Sequence, residues 1–503
     1  MEKRLIIAIA LSMLVLLAWS ALAPKPQPAS PALPASPAAP SEKRQSVPLP
    51  QEIECEPAPE EVFSYQRDKT ELTFIVPLAV LKEARFKDYQ SYLFPLKQGF
   101  WLEDKGLVFR KASAPPGEVI FIYQDKEKEI IKRFIFSNSN YSMELEIETR
   151  NLSDSTISPS LPLVLGVLDF SGGQNQARFQ DITAALKDKT LHLNGRKDMQ
   201  LEGVQFIGIR DRYFCLIVEP SVESRAFIQK LNSHQAIIGL NIENHSLAPG
   251  SKDLQKFHIY LGPQDLQLIN PIKSSWAQVV HYGTFDFIAH LLLQLLRVAY
   301  RLVHNWGLAI IILSLAIYFL LYPFTLKQMR SMKEMQALQP HIEELRKTYK
   351  DNPQKMNKEI MELYREHKVN PFGGCLPLIL QMPIFFALYQ ALLRSVSLKG
   401  ASFLWIRDLS EPDRLFLLPV SLPVLGNEIN LLPIVMAVGM FLQQKMSLKS
   451  AGSGSAEQQR LMMIILPLMF GLIFYHMPAG LVLYWLVNSV LMLISQFKTS
   501  RAR

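Results

Sequence analysis

The stretch Asn370–Leu393, NPFGGCLPLILQMPIFFALYQALL, decides how the rest of this chain is read. At about 1.5 Å of rise per residue it is long enough to cross a bilayer. Yet it carries Pro371, Pro377, Pro383, Gly373, Gly374 and Gln381. Proline removes a backbone donor and bends a helix, and the paired glycines let another backbone approach closely. Gln381 belongs in an interior slot rather than against lipid. The segment therefore reads as a broken, polar-lined wall of a helix bundle, with a kinked structural helix as the plainer alternative on these residues alone.

Working outward, four more apolar segments follow the helical pattern: Trp306–Thr325, Leu431–Leu442, Leu461–Tyr475 and Leu481–Phe497. At the N-terminus Lys3 and Arg4 precede an apolar run from Leu5 to Ala23. Ala21-Leu22-Ala23 has the small residues of a cleavage site, but Pro24 follows at once and hinders a peptidase, so a retained anchor is expected over a cleaved signal. Lys3 and Arg4, the segment from Lys327 to Lys368 with ten Lys or Arg against seven acids, Lys445, Lys449 and Arg460, and the final Lys498, Arg501 and Arg503 all fall on one side of these spans. The positive-inside rule makes that side cytoplasmic and both termini cytoplasmic.

Between the anchor and the bundle the composition changes twice. Residues 24–60 are rich in proline and alanine, with little to bury, and read as an extended linker. From Glu61 to Ile272 the periodicity becomes two, as in GEVIFIYQDKEKEIIKRFIF and YSMELEIET, which argues an antiparallel β-sandwich on the periplasmic side. Residues 273–304 place His290, Arg297, Arg301 and His304 among apolar residues at helical spacing, an amphipathic helix lying along the membrane surface. Met329, Met332, Met335 and Leu338, then Met356, Ile360, Leu363 and Tyr364, flank KDNP and predict a helical hairpin. Its basic stripe suits lipid headgroups, ribosomal RNA or a targeting receptor, or simply a solvated face.

The chain thus divides into 1–23 anchor, 24–60 linker, 61–272 β domain, 273–304 interfacial helix, 305–326 first core span and 327–369 hairpin. There follow 370–394 second span, 395–429 periplasmic loop, 430–446 third span, 447–460 cytoplasmic loop, 461–477 fourth span, 478–498 fifth span and 499–503 basic tail. The fold class is a polytopic α-helical membrane protein, an anchor plus a five-helix core, with a periplasmic all-β domain and a cytoplasmic hairpin. Three cysteines, Cys55, Cys215 and Cys375, have no metal-ligand spacing, so neither a zinc site nor a disulfide framework is indicated; Cys55 and Cys215 either pair or stay as thiols.

Polar groups inside spans are costly and point to helix contacts or a hydrated path. Ser314, Gln381, Gln390, Asn488 and Ser489 lie in apolar surroundings on three spans, and together they suggest a shared, partly hydrated concavity. Leu431–Leu442 and Leu461–Tyr475 are shorter than the ~20 residues a bilayer asks for, which thins the barrier beside them.

These residues resemble a known family. NWGLAIIILSLAIYFLLYPFT, MQALQPHI, KVNPFGGCLPLILQMPIFFALYQAL, FLWIRDLSEPD, LQQKM and PAGLVLYWLVNSV are similar, in order and spacing, to the membrane core of the YidC family of membrane protein insertases, Gram-negative type. The resemblance implies an inner-membrane insertase and chaperone that takes nascent membrane proteins from the ribosome, alone or with the Sec translocon of SecYEG/SecDF type. The signal recognition particle receptor and membrane lipids are further implied partners; DNA, catalysis and cofactors are not. The path would be a hydrophilic groove formed by the five core spans, the hairpin would serve recruitment, and the outer domain would be a mutarotase-like supersandwich. Ser314, Tyr318, Gln381 and Asn488 are expected to line the groove. Phe385, Tyr484 and Trp485 are expected to face the substrate's apolar segment, and core packing is the alternative for each.

One position departs from the family. Its bacterial members usually carry an arginine in the first core span where this chain has Tyr318, four residues before Tyr322. An arginine-free groove would work through neutral donors and hydration and would favour weakly charged tails; Arg394, at the far end of its span, is a poor substitute. Two rival readings remain: a cell-envelope carbohydrate-binding or modifying protein using His234 or His258 with Glu243, and a secondary transporter, which the unlike spans disfavour.

Overall fold

The computed structural model describes residues 61–501, apart from 95, 97, 105, 138, 160, 170–178, 242–245, 351, 368, 370–375, 423–425 and 451–455. The expected anchor and linker, Cys55, Cys375, Pro371, Gly373, Gly374 and Glu243 lie outside the described residues.

The alternating stretches form strands, as their period of two requires. Val62–Gln66, Thr70–Ile75, Val80–Phe86 and Tyr92–Phe94 pair in chain order as a four-stranded antiparallel sheet. A 13-stranded sheet takes the rest, from Trp101–Leu102 to Lys252–Pro263. Its longest strands, Ser142–Asn151, Met199–Arg210 and Lys252–Pro263, supply the central buried rows. The two sheets meet through aromatic side chains: Phe86 stacks on Phe214 at 4.1 Å between ring centroids, and Tyr92 stacks on the same ring at 4.8 Å. Each such ring removes a large apolar area from water, and offset pairs add to that.

Ionisable side chains are enclosed in this part of the chain, Lys132 completely. Lys132 donates to the carbonyls of Ala79 and Phe100, each at 2.5 Å, and burial pulls its ammonium down to a pKa of about 7. Cys215 is a free thiol buried on the strand Phe214–Pro220, so the alternative of an unpaired residue holds for it.

The helical part begins with α1, Asp286–Val303. Ala289, Leu292, Leu293, Leu296 and Ala299 bury one face, while Phe287, Leu291, Leu295, Val298 and Leu302 leave a second apolar face exposed. His304 closes α1 in the left-handed region at φ 50°, and Tyr300 stacks on Trp306 at 4.0 Å, which sets the turn into α2, Trp306–Ala337. There Gly307 lies against the Phe403 ring: a Cβ would stand 2.1 Å from Cγ of that ring.

The helix of the expected first span does not stop at residue 326: α2 continues to Ala337, 32 residues in all, with Pro323 inside it. Pro323 costs one backbone hydrogen bond, and the turns on either side carry the helix through. The expected first hairpin arm is therefore split between α2 and α3, Gln339–Thr348, with the break at Leu338 and Pro340 in the first turn of α3. The second arm is α4, Pro353–Glu366, capped by Asn352, whose side chain accepts from the Lys355 N–H at 3.1 Å. Leu338, Ile342, Tyr364 and Val369 form a small core of their own, with Met335, Ile360 and Leu363 against it. Of the residues whose spacing was read as the two arms, Met335, Leu338, Ile360, Leu363 and Tyr364 meet in this core.

Four helices complete the bundle: α5, Leu376–Arg394; α6, Leu431–Ser450; α7, Ala456–Phe474; and α8, Ala479–Arg501. Pro383 lies inside α5, and Pro377 is its second residue. Among the described residues, Trp306–Ser331 and Ala479–Lys498 are long and apolar enough to cross a membrane, while α6 and α7 carry the shorter apolar stretches Leu431–Lys445 and Met463–Phe474. Between α5 and α6 the strands Phe416–Leu422 and Gly426–Ile429 make a separate two-stranded hairpin.

Candidate functional site

A cavity of about 250 Å³ opens between α2, α5, α6 and α8. Helix periodicity assigns its walls. Tyr318, Leu321, Thr325 and Gln328 recur at threes and fours on α2, and Trp485, Asn488, Ser489 and Met492 do so on α8. Gln381 comes from α5, and Met440 with Gln443 from α6. Among the described residues, no Lys, Arg, Asp, Glu or His stands in this lining. The cavity therefore offers amide and hydroxyl groups without a fixed charge.

Those polar groups hold one another. Gln381 Nε2 donates to the Tyr484 hydroxyl at 2.5 Å, and Asn488 Nδ2 donates to the Tyr484 carbonyl at 3.1 Å. The hydroxyls of Tyr318 and Ser495 hydrogen-bond, and Gln443 Nε2 donates to Met492 Sδ at 3.3 Å. Each amide keeps further donor or acceptor capacity, since Asn and Gln have two of each. A polar chain entering here would exchange water for side-chain partners at a small net change, whereas bare hydrocarbon would cost several kcal/mol, roughly 2–7, per unpaired group.

Of the expected groove residues, Tyr318, Gln381 and Asn488 are brought together and Ser314 is not. Ser314 is fully buried, and its hydroxyl donates to the Ile310 carbonyl at 2.7 Å one turn back on its own helix. That local bond satisfies the hydroxyl and removes it from the cavity. Among the aromatic candidates, Trp485 lines the cavity while Phe385 and Tyr484 do not. Tyr484 is wholly buried, and Phe385 packs edge-on to Trp485 at 5.2 Å and beside Phe474 at 5.8 Å. Core packing is the role these two contacts support. Thr325, Gln328, Gln443 and Ser489 also line the cavity. The helical spacing Tyr318, Leu321, Thr325, Gln328 could have revealed two of them.

Arg394 stands far from this cavity, among β-domain groups. It lies 3.9 Å from Asp181 and over the Phe179 ring at 5.5 Å, and its Nε and Nη1 have no hydrogen-bond partner. Asp181 is already held by Arg210, which also reaches the carbonyls of Val279 and His281. His281 sits against Arg210 at 2.6 Å and beside the His192 ring, 3.6 Å between centroids. Burial and then the Arg210 charge push the His281 pKa down to about 3. Arg394 is thus a junction residue, not a groove charge.

Of the carbohydrate-site candidates, His234 is exposed at a turn, with its backbone N–H on Asn232 Oδ1, and His258 is exposed on the face of the interior strand Lys252–Pro263, 3.8 Å from Glu144. Glu243 lies outside the described residues.

Comparison with known proteins closes the question of family. The family described as "60Kd inner membrane protein" matches residues 298–503, and the one described as "YidC periplasmic domain" matches residues 94–295. The membrane protein insertase YidC of Syntrophobacter fumaroxidans is 35% identical over 80% of this chain and 72% of its own length. That of Geotalea daltonii is 30% identical over 99% of this chain and 98% of its own. A crystal structure of an active YidC insertase, with its first transmembrane domain resolved, is 20% identical over 88% of this chain and 93% of that one, with a TM-score of 0.42. With both its β-rich part and its helical part matched, and a relative alignable almost end to end, the chain belongs to the YidC family of membrane protein insertases.

Proposed function

We propose that this insertase moves nascent membrane proteins into the bilayer through the neutral cavity between α2, α5, α6 and α8. The observation that carries this reading is that, among the described residues, no charged group stands in a lining that still presents Tyr318, Gln381, Gln443 and Asn488. A polar tail would find partners there while an apolar segment of about 20 residues leaves sideways for lipid. Burial of that segment supplies the driving force, at ~25 cal/mol per Å² of apolar surface.

The membrane arrangement we infer has an N-terminal anchor, five core spans formed by α2 and α5 to α8, both termini and the α3–α4 hairpin in the cytoplasm, and the β domain in the periplasm. The distribution of Lys and Arg supports it, as do the two long apolar helices. The exposed apolar face of α1 suits a helix lying in the membrane surface. The hairpin's small core, isolated from the bundle, suits a docking element for the ribosome or a targeting receptor. Cooperation with a Sec translocon belongs to this proposal as well.

The test is protease-protected insertion of a single-span substrate with a short acidic tail, or the same tail made neutral, in liposomes holding the unaltered chain or Tyr318→Arg. Efficient insertion of the neutral tail by the unaltered chain, with the acidic tail gaining from Tyr318→Arg, supports a neutral path. Insertion of both tails untouched by Tyr318→Arg and by Gln381→Leu would place the path elsewhere.

A further inference from the structure

The two-stranded hairpin Phe416–Leu422 with Gly426–Ile429 pairs with no other strand among the described residues. From Leu415 to Gly426 the chain carries no Asp, Glu, Lys, Arg or His. Neighbouring side chains on a strand point to opposite faces. Phe416 and Leu417 are neighbours, yet they are 62% and 69% exposed, and Val420 is 66% exposed. Both faces of the first strand are therefore bare and apolar. A lone hairpin is marginal in water even with one face covered, and a patch of this kind marks an interaction site.

Its position says what covers it. The preceding helix α5 ends at Arg394, and α6 begins at Leu431, two residues after the second strand. Arg212 of the β domain donates to the Ser410 carbonyl and to Glu411, so the ribbon lies on the side of the bundle that bears that domain. Charge is confined to its base. Arg414 pairs with Glu428 at 2.9 Å and with Glu411 at 3.7 Å. Asp413 accepts the first N–H groups of α6, from Leu431 at 2.8 Å and Leu432 at 2.9 Å, and also the indole N–H of Trp405 at 3.1 Å. Apolar exposure then continues down α6 through Ile434, Val435 and Val438. The ribbon thus has a charged base, an indole of the kind that favours membrane–water boundaries, and a first strand without charge, and it is joined to a helix whose outer face is apolar.

We infer that this hairpin docks on bilayer lipid, lying at the headgroup–acyl boundary of the leaflet that faces the β domain. It stays at the boundary because a two-stranded ribbon has unpaired backbone groups on both edges, which hydrocarbon cannot satisfy. Pro419, exposed on the first strand, removes one such donor from that edge. The inference rests on the membrane placement proposed above.

The experiment uses the full chain with Cys55→Ser and Cys375→Ser, a nitroxide on Val420→Cys, and vesicles of phosphatidylethanolamine and phosphatidylglycerol. Collision rates with oxygen, which enters lipid, and with a water-soluble nickel chelate are compared; Val438→Cys on α6 serves as the reference. The expected result is several-fold greater access to oxygen than to nickel at both positions, with residue 420 at shallower depth than 438. Nickel access at 420 while 438 remains in lipid overturns the docking and leaves the membrane placement intact. Immobilisation at 420 with neither probe admitted also overturns it, in favour of coverage by protein. Nickel access at 438 removes the membrane placement and the docking together.

Discussion

Arg212, on the β domain, donates through Nε to the carbonyl of Leu393 at the end of α5, 2.9 Å away. Its other nitrogens reach Glu411 at 2.9 Å and the Ser410 carbonyl at 2.7 Å, and Tyr213 beside it donates to the Ser410 hydroxyl at 3.1 Å. One guanidinium thus ties the sheet to a helix end and to the connection leading to α6. Replacing it leaves a carboxylate and two carbonyls short of a partner, about 1–3 kcal/mol for a partly buried set. Arg212→Ala is expected to make the segment 395–415 several-fold more sensitive to limited proteolysis while the β domain's own unfolding midpoint hardly moves. Equal protection of that segment in the variant would show that the tie is not structural.

Acid should loosen the same junction from another direction. His281 is held neutral down to a pKa of about 3, against an ordinary value of 6.5. In the unfolded chain it takes up a proton below about pH 6.5, so the folded state binds fewer protons between 6.5 and 3. Stability contributed by the neutral ring is therefore complete above pH 6.5 and is lost as pH falls toward 3, on the order of a few kcal/mol at most. Equilibrium unfolding of His281→Gln is expected to show a shallower loss between pH 6.5 and 4 than the unaltered chain. Asp181, Arg210, His192 and Arg394 stay in place in that comparison. Parallel pH curves would sink the assignment.

Gln381→Leu replaces the amide that meets the Tyr484 hydroxyl with a side chain of similar size. Tyr484 is wholly buried, so its hydroxyl loses a partner, and one wall of the cavity becomes apolar. Insertion of a polar-tailed single-span substrate is expected to slow several-fold, with the thermal midpoint down by a few degrees, the size of about 1 kcal/mol. Gln381→Glu separates the two effects, since it keeps a hydrogen-bonding group and adds a charge the cavity does not otherwise hold. A rate unchanged in both variants would mean that substrate does not pass Gln381.

Gly307 tests the packing that starts α2. A methyl group there must displace the stem of the Phe403 ring, with Cβ and Cγ both closer than 3 Å, and the stem of a side chain cannot swing away as its tip could. Glycine-to-alanine in a helix ordinarily gains up to about 1 kcal/mol, but overpacking costs about 1–3 kcal/mol and should win here. Gly307→Ala is expected to destabilise the bundle in detergent, and Phe403→Ala to recover part of that loss in the double variant. Additive effects of the two would show that the residues do not couple.

Much of this architecture was legible because period alone reports it. The alternation in Glu118–Gln124 and Lys128–Phe136 became paired strands, and the amides Gln381 and Asn488, out of place in apolar helices, did mark a cavity wall. What stayed hidden depends on partners distant in sequence or on geometry within one turn. Arg212 and Glu411 are 199 residues apart, and no local pattern links them. Ser314 looked like a groove hydroxyl because composition cannot show that it bonds its own helix at Ile310. The helix that carries the first core span runs on past residue 326 to Ala337, because the turns flanking Pro323 carry it through, and the span alone did not reveal that continuation. Of the lining residues, Gln328 fell beyond that boundary, and Thr325, inside it, was passed over.

The unbroken course of α2 has a mechanical meaning. At about 1.5 Å per residue its 32 residues make a rod of roughly 48 Å. One end of the rod, at Met335, is seated in the small core shared with α3 and α4, and its middle forms a wall of the cavity through Tyr318, Thr325 and Gln328. Its weak rung is at Pro323, whose missing N–H falls between Tyr318 and Thr325. The small core of the α3–α4 hairpin and the cavity wall thus share one continuous rod, with its one missing backbone bond set within that wall.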